Sequence, residues 1–139
     1  YRHWGHDISD EENPLEAGLG FTIDWEKSGG FIGKHALLEK RELTPCKRLL
    51  QFKLSDPEPL LYHNEPIYRQ GQVIGYITSG MYGHHLGSSI GLGYVHDSAG
   101  VDSDYVNDSD FEVLVAGQMV EAMASLKPLY DPNSERVKA

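Results

Sequence analysis

Cysteine is almost absent: Cys46 stands alone in 139 residues. That excludes an intrachain disulfide framework and suits a reducing compartment. No stretch approaches the ~20 consecutive apolar residues of a membrane-spanning helix, and the opening residues carry no signal-like pattern. Lysine and arginine are missing from Gln70 to Leu126, whereas Asp97, Asp102, Asp104, Asp108, Asp110, Glu112 and Glu121 all fall there. A duplex-binding face needs clustered cations to release counterions, so this half is no nucleic-acid surface. Anionic lipid headgroups would repel it too.

What is present fits one globular core. Hydrophobic residues make up 40% and charged residues 24%, with a net charge of −9, ordinary values for a soluble fold apart from the acidity. A chain of this length buries roughly 68% of its unfolded surface without a metal or disulfide staple. The opening Tyr1-Arg2-His3-Trp4 lacks a methionine and reads as mid-protein sequence, so a longer parent polypeptide is expected.

Apolar periodicity divides the chain near residue 45. Leu15, Ala17, Leu19, Phe21 and Ile23 alternate with other residues, a period of two that predicts a strand broken by Ser28-Gly29-Gly30. Ile32, Ala36, Leu37 and Leu38 lie at helical spacings, which predicts a short helix near 33–42 ended by Pro45. Beyond it the pattern is β throughout. Leu50, Phe52 and Leu54 alternate; Ile67-Tyr68 and the run 72–79 flank Gly71, suggesting a hairpin with a three- to five-residue loop. Ile90, Leu92 and Tyr94 face one way and Gly91 and Gly93 the other. Such glycines belong where another group comes close. Phe111, Val113 and Val115 lead into a two-residue turn at Gly117-Gln118, and the run 119–124 returns. Short strands between turn signals indicate an antiparallel barrel or sandwich, followed by a polar tail from Asp131-Pro132-Asn133.

Catalytic and metal motifs are incomplete. There are seven histidines, and His3, His6 and Asp7, or His84-His85, or His96-Asp97, could gather donors. Yet there is no His-Glu-x-x-His and no cysteine pair, so loop histidines are the reading. The acids of 102–110 fail the EF-hand spacing in both registers, because Val113 and Val106 occupy required positions. Gly87-Ser88-Ser89-Ile90-Gly91 lacks nucleophile-elbow spacing. Lys47 and Arg48 follow Cys46 and could lower a thiol pKa, but no partner base is evident. Thr78-Ser79-Gly80 could line a pocket or cap a hairpin. The aromatic start, Tyr1, Arg2, His3 and Trp4, could stack on a planar heterocycle and hold a carboxylate, with Tyr130 joining from the far end. A packing cluster at a domain junction is the alternative.

Ordered motifs along nearly the whole chain resemble a known family. They are Tyr1-Arg2-His3-Trp4-Gly5-His6-Asp7, Asn13-Pro14-Leu15-Glu16-Ala17-Gly18-Leu19, Phe31-Ile32-Gly33-Lys34, Gly75-Tyr76-Ile77-Thr78-Ser79-Gly80, Gly93-Tyr94-Val95-His96-Asp97 and Pro128-Leu129-Tyr130-Asp131-Pro132. The family is the folate-dependent aminomethyltransferases of the glycine-cleavage T-protein type, and the similarity is strongest to the C-terminal region of sarcosine and dimethylglycine dehydrogenases. Trp4-Gly5, where T-proteins carry Tyr-Gly, the strand end at His96-Asp97 and the terminus Arg136-Val137-Lys138 favour the dehydrogenase branch.

The resemblance implies a mainly β fold: an antiparallel C-terminal β-barrel over 46–139, preceded by a strand and helix lead-in over 1–45 that ends a central folate-binding domain. It implies a parent flavoenzyme that oxidises a small N-methyl amine with FAD and passes the one-carbon unit to tetrahydrofolate. A flavin-free aminomethyltransferase and a non-catalytic interaction module are the alternatives. The family's catalytic Asp and main pterin-anchoring Glu lie upstream of Tyr1, and so does the flavin fingerprint. The folate or substrate contacts that carry over are Trp4 and Tyr130, then Tyr1 and Arg2. No catalytic residue and no metal ligand carry over. The expected partners are upstream domains of the same polypeptide, neither nucleic acid nor membrane, in a bacterial cytoplasm or a mitochondrial matrix. Alone, the segment is expected to be inactive and to bind folate weakly.

Overall fold

The computed structural model describes residues 1–108 and 110–139. Its centre is a closed six-stranded antiparallel barrel, as the resemblance implied. The strands are β1 (Lys47–Leu54), β2 (Pro66–Arg69), β3 (Gln72–Gly83), β4 (Ser88–His96), β5 (Phe111–Val115) and β6 (Gln118–Ser125). They run in the order β1-β4-β3-β2-β5-β6 and close between β6 and β1. Closure leaves no unpaired edge to template aggregation. Leu50, Phe52, Leu54, Ile67, Ile77, Val95, Phe111 and Val113 fill the interior, and the Phe52 and Phe111 rings meet edge-to-face with centroids 5.7 Å apart.

Two crossovers plug the ends of the barrel. The β1–β2 connection inserts Leu61, while Ser88 and Ser89 bind its carbonyls at Leu54, Asp56 and Pro59. At the other end the β4–β5 connection inserts Val101 and Val106 beside helix α2 (Ser103–Asn107). The side chain of Asp102 caps α2 by accepting from the Tyr105 amide at 2.8 Å. Part of the acidic loop expected from the sequence is therefore a capped helix whose apolar side closes the barrel.

The glycine face of β4 is the inner one. A Cβ on Gly93 would meet the Tyr76 carbonyl at 2.7 Å and Ile67 Cδ1 at 2.8 Å, so the large neighbours occupy the space these glycines leave. Both hairpin turns differ from expectation. The β2–β3 loop is Gln70-Gly71 and the β5–β6 loop is Ala116-Gly117, shorter and one residue earlier than predicted respectively. All four residues have positive φ. Type I′ turns require this, because their twist matches that of the strands.

The lead-in departs most from the sequence reading. Residues 15–23 form no strand; they form turns and one 3-10 turn at Gly20–Thr22. Asn13 is the cause: its side chain accepts from the Leu15 and Glu16 amides, and its carbonyl accepts from Ala17. This coils the backbone before a ladder can start. Helix α1 (Lys34–Arg41) falls inside the predicted window but buries no residue. The tail begins with a turn and ends in α3 (Glu135–Lys138), whose first amides are capped by the Asp131 carboxylate.

Replacing Gly93 by Ala should destabilise the chain by about 1–3 kcal/mol through overpacking. Urea denaturation measures this, and an unchanged midpoint would mean the barrel wall yields freely there.

Candidate functional site

The lead-in lies against the outside of β1 and β4. Leu49 and Tyr94 face each other across that pair and point outward, yet both are buried, as is Ala17 of the lead-in. The Leu49 amide donates to the Glu16 carbonyl at 2.8 Å. Lys47 donates to Glu12 at 2.6 Å, and its ammonium sits 4.7 Å from the Tyr94 ring centroid. Arg2 donates to the carbonyls of Ala17 and Gly18 at 3.0 and 3.3 Å, so its guanidinium ties the lead-in together.

Asp7 anchors this layer. It is 1% exposed, and its carboxylate accepts from the His3 amide at 2.8 Å, Thr78 Oγ1 at 2.5 Å and Ser79 Oγ at 2.7 Å. Its carbonyl accepts from the Tyr94 hydroxyl at 2.9 Å. Consecutive strand residues normally point to opposite faces. Here a β-bulge shifts the β3–β4 register between Ile77 and Ser79, so both hydroxyls reach the same oxygen. Burial raises the Tyr94 phenol well above its usual range, helped by the charge of Glu12. It therefore stays a neutral donor.

Ser79 also borders a cleft of about 500 Å³ on the outer face of β3 and β4. Met81, Ile90 and Leu92 form its apolar wall, and Tyr130 closes it from the C-terminal segment. The Tyr130 ring stacks on His85, with centroids 4.8 Å apart and planes 8° from parallel. Gln51 holds this segment by accepting from the Leu129 amide at 2.6 Å, and the Arg136 guanidinium lies 5.6 Å from the Tyr130 centroid. The wall is aromatic and apolar, and neither Lys nor Arg lines it. Such a surface suits a flat, uncharged ring system.

Of the four residues assigned to folate or substrate contact, Tyr130 alone lines this cleft, together with Ser79 and Gly80 of the Thr78-Ser79-Gly80 run. Trp4 is 67% exposed on the loop that Asp7 fixes, and Tyr1 is fully exposed. Arg2 is engaged with backbone carbonyls, which leaves its sequence-assigned carboxylate role without a visible partner. His3 and His6 stack on each other at 4.4 Å. No group of three or more His, Cys, Asp and Glu side chains is arranged to hold a metal among the described residues. Sequence reasoning missed His85, Gln51 and Met81 as cleft residues and Asp7 as the anchor. The Thr78-Ser79 pair was the available signal for the last.

Residues 47–131 match the glycine cleavage T-protein C-terminal barrel domain. Over 138 residues the chain is 41% identical to a 4-methylaminobutanoate oxidase (formaldehyde-forming) from Paenarthrobacter nicotinovorans, covering 99% of this chain and 16% of that protein. It is 37% identical to human mitochondrial sarcosine dehydrogenase, with 99% of this chain and 15% of that protein covered. An aminomethyltransferase from Symbiobacterium thermophilum is 33% identical, over 91% of this chain and 32% of the relative. The glycine cleavage system aminomethyltransferase T from Bartonella henselae has the same fold, with a TM-score of 0.70 at 22% identity over 88% of this chain and 33% of that structure. The chain thus spans about one sixth of the first two relatives.

Two outcomes test the anchor. Asp7→Ala removes the acceptor of the part-buried His3 amide and Ser79 hydroxyl and one of the two acceptors of Thr78, and should cost about 1–3 kcal/mol in urea denaturation. A loss below about 0.5 kcal/mol, ordinary for a surface change, would contradict it. The Glu12 carboxyl is held below its usual range, chiefly by its hydrogen bond with Lys47, against the opposing effect of burial. A carboxyl depressed in the folded state stabilises the fold at neutral pH, and this contribution disappears as pH falls through the lowered value. Lys47→Ala should therefore lower stability at pH 7 and flatten its decline in acid, measured as urea midpoints across that range. A parallel, uniformly displaced curve would contradict the linkage. By the matched barrel, and by relatives that align with nearly all of this chain, it belongs to the glycine cleavage T-protein C-terminal barrel family.

Proposed function

We propose that this chain is the C-terminal part of a folate-linked demethylating flavoenzyme of the sarcosine or dimethylglycine dehydrogenase kind. In that reading it closes the folate site and packs on upstream domains of the same polypeptide. The observation that carries it is the cleft of Tyr130, His85, Met81 and Leu92, whose edge residue Ser79 is bonded to the same Asp7 that fixes the Trp4 loop. Near-complete coverage of this chain by an oxidase and a sarcosine dehydrogenase supports it, since both are named for amine oxidation. Exposed Trp4, Phe21, Ile32 and Met81 supply apolar surface for the upstream domains.

Tetrahydrofolate, when bound, supplies the nitrogens that take up the one-carbon unit. Of this chain's residues, Tyr130 would present a ring face already oriented by His85, and Met81 and Leu92 would exclude water from one side. Its ring system fits the cleft; its carboxylates do not, because no cation lines the wall. Those charges must be met by another part of the parent. The flavin fingerprint Gly-x-Gly-x-x-Gly does not occur in these 139 residues. Gly18-Leu19-Gly20 and Gly91-Leu92-Gly93 both lack its third glycine, and the space beside Gly91 and Gly93 is taken by Ile67, Ile77 and Leu61. In this reading amine oxidation is assigned to the parent polypeptide outside these residues, in a mitochondrial matrix or a bacterial cytoplasm.

The similarity to an aminomethyltransferase over 91% of the chain favours one second reading, a flavin-free parent. A Gly-x-Gly-x-x-Gly near the start of the parent sequence decides between them.

The test uses the parent enzyme carrying Tyr130→Ala. Losing one stacking face should raise the KM for tetrahydrofolate about tenfold or more, with amine oxidation unchanged. An unchanged KM would overturn the assignment of Tyr130. For the isolated chain, titration calorimetry with tetrahydrofolate should give a Kd no tighter than about 1 mM; micromolar binding would show that this segment suffices.

A further inference from the structure

A second cleft, of about 320 Å³, opens between the lead-in, the end of α1 and the start of β1. It shares no lining residue with the Tyr130 cleft. Lys40 and Arg41 come from the last turn of α1 and Arg48 from β1, while Leu15, Leu43 and Leu49 supply an apolar floor. No carboxylate lines it. The chain has a net charge of −9, and these three cations belong to its basic stretch between Lys34 and Lys53.

Those cations are uncommitted. Lys47 and Arg69 pair with carboxylates and Arg2 with carbonyls, whereas Lys40, Arg41 and Arg48 make no ion pair among the described residues. Arg41 is held by its guanidinium lying 4.7 Å from the Trp25 ring centroid, which orients a cation without neutralising it. Arg48 is partly buried, and its Nε is sequestered from solvent without a hydrogen-bond partner. The charge of Asp102, which caps α2, acts on Arg48 without forming an ion pair with it. Guanidinium groups on a rigid strand and an anchored helix end are suited to carboxylate and phosphate oxygens.

We propose that this cleft is a binding site for a small organic polyanion, one bearing two or more carboxylate or phosphate groups on a short apolar body. A lone surface lysine would not select such a ligand; three cations and several apolar residues lining one cleft would. The site is independent of the folate reading, because its residues, its location and its charge all differ from those of the Tyr130 cleft.

Titration calorimetry on the 139-residue chain at low ionic strength tests it, with pyrophosphate and, separately, citrate as probes. Saturable one-to-one binding of at least one probe is expected, weakening as salt is added. Arg48→Gln should weaken it tenfold or more, and so should the pair Lys40→Gln with Arg41→Gln. Lys53→Gln and Lys127→Gln, cations outside the cleft, should leave it unchanged. Preference for pyrophosphate points to a phosphate-bearing ligand, and preference for citrate to a carboxylate-bearing one. Thermal melts check that Arg48→Gln stays folded; if it does not, the helix pair alone decides. Binding of neither probe, or equal loss in the control variants, overturns the proposal.

Discussion

The buried carboxylate of Asp7 is the constraint on which the arrangement depends. A carboxylate that is 1% exposed is costly unless its oxygens are satisfied. Three donors satisfy it, and they come from both layers: His3 from the lead-in, Thr78 and Ser79 from β3. Removing the barrel would leave the carboxylate short of donors, and removing the lead-in would take the acceptor from Ser79 while Thr78 keeps the Leu92 carbonyl. The lead-in is otherwise poor in core. Helix α1 buries nothing, and Phe21 and Ile32 stand in solvent. Its attachment thus rests on a polar anchor, the Lys47–Glu12 pair and two covered side chains, Leu49 and Tyr94, rather than on a large apolar interface.

The bulge at Thr78 links this anchor to the cleft. It aims two successive hydroxyls at Asp7 and leaves Ser79 on the rim of the cleft that Tyr130 closes. The loop bearing Trp4 is fixed by the same carboxylate. Two aromatic residues from opposite ends of the chain are therefore tied to the barrel, Trp4 through Asp7 to β3 and Tyr130 through Leu129 to Gln51 on β1. The barrel supplies a rigid wall, the bulge its attachment point, and the chain termini the rings.

Much of the barrel was legible because its strands alternate strictly: Leu50, Phe52 and Leu54 inside, as are Phe111, Val113 and Val115. The two turns were misplaced because glycine marks a type I′ turn at its second central residue, and positive φ at Gln70 and Ala116 leaves no sequence signature. The lead-in was misread as a strand because Leu15, Ala17 and Leu19 alternate within a turn set by Asn13, so local hydrogen bonding overrode periodicity. Of the site, Tyr130 was legible as an aromatic near the terminus. Its stacking on His85 was not, since that contact joins residues brought together only by closure of the barrel. Asp7 stood out only as a neighbour of histidines; its hydroxyl partners lie more than seventy residues away.

The central claim is that lead-in and barrel form one cooperative unit through Asp7. Native-state hydrogen exchange at the His3 amide, which donates to the Asp7 carboxylate, tests it most directly. The account predicts that this amide exchanges only with global unfolding, with the same opening free energy as the core amides of Phe52 and Val95. Exchange through a local opening, while Phe52 and Val95 remain protected, would contradict it.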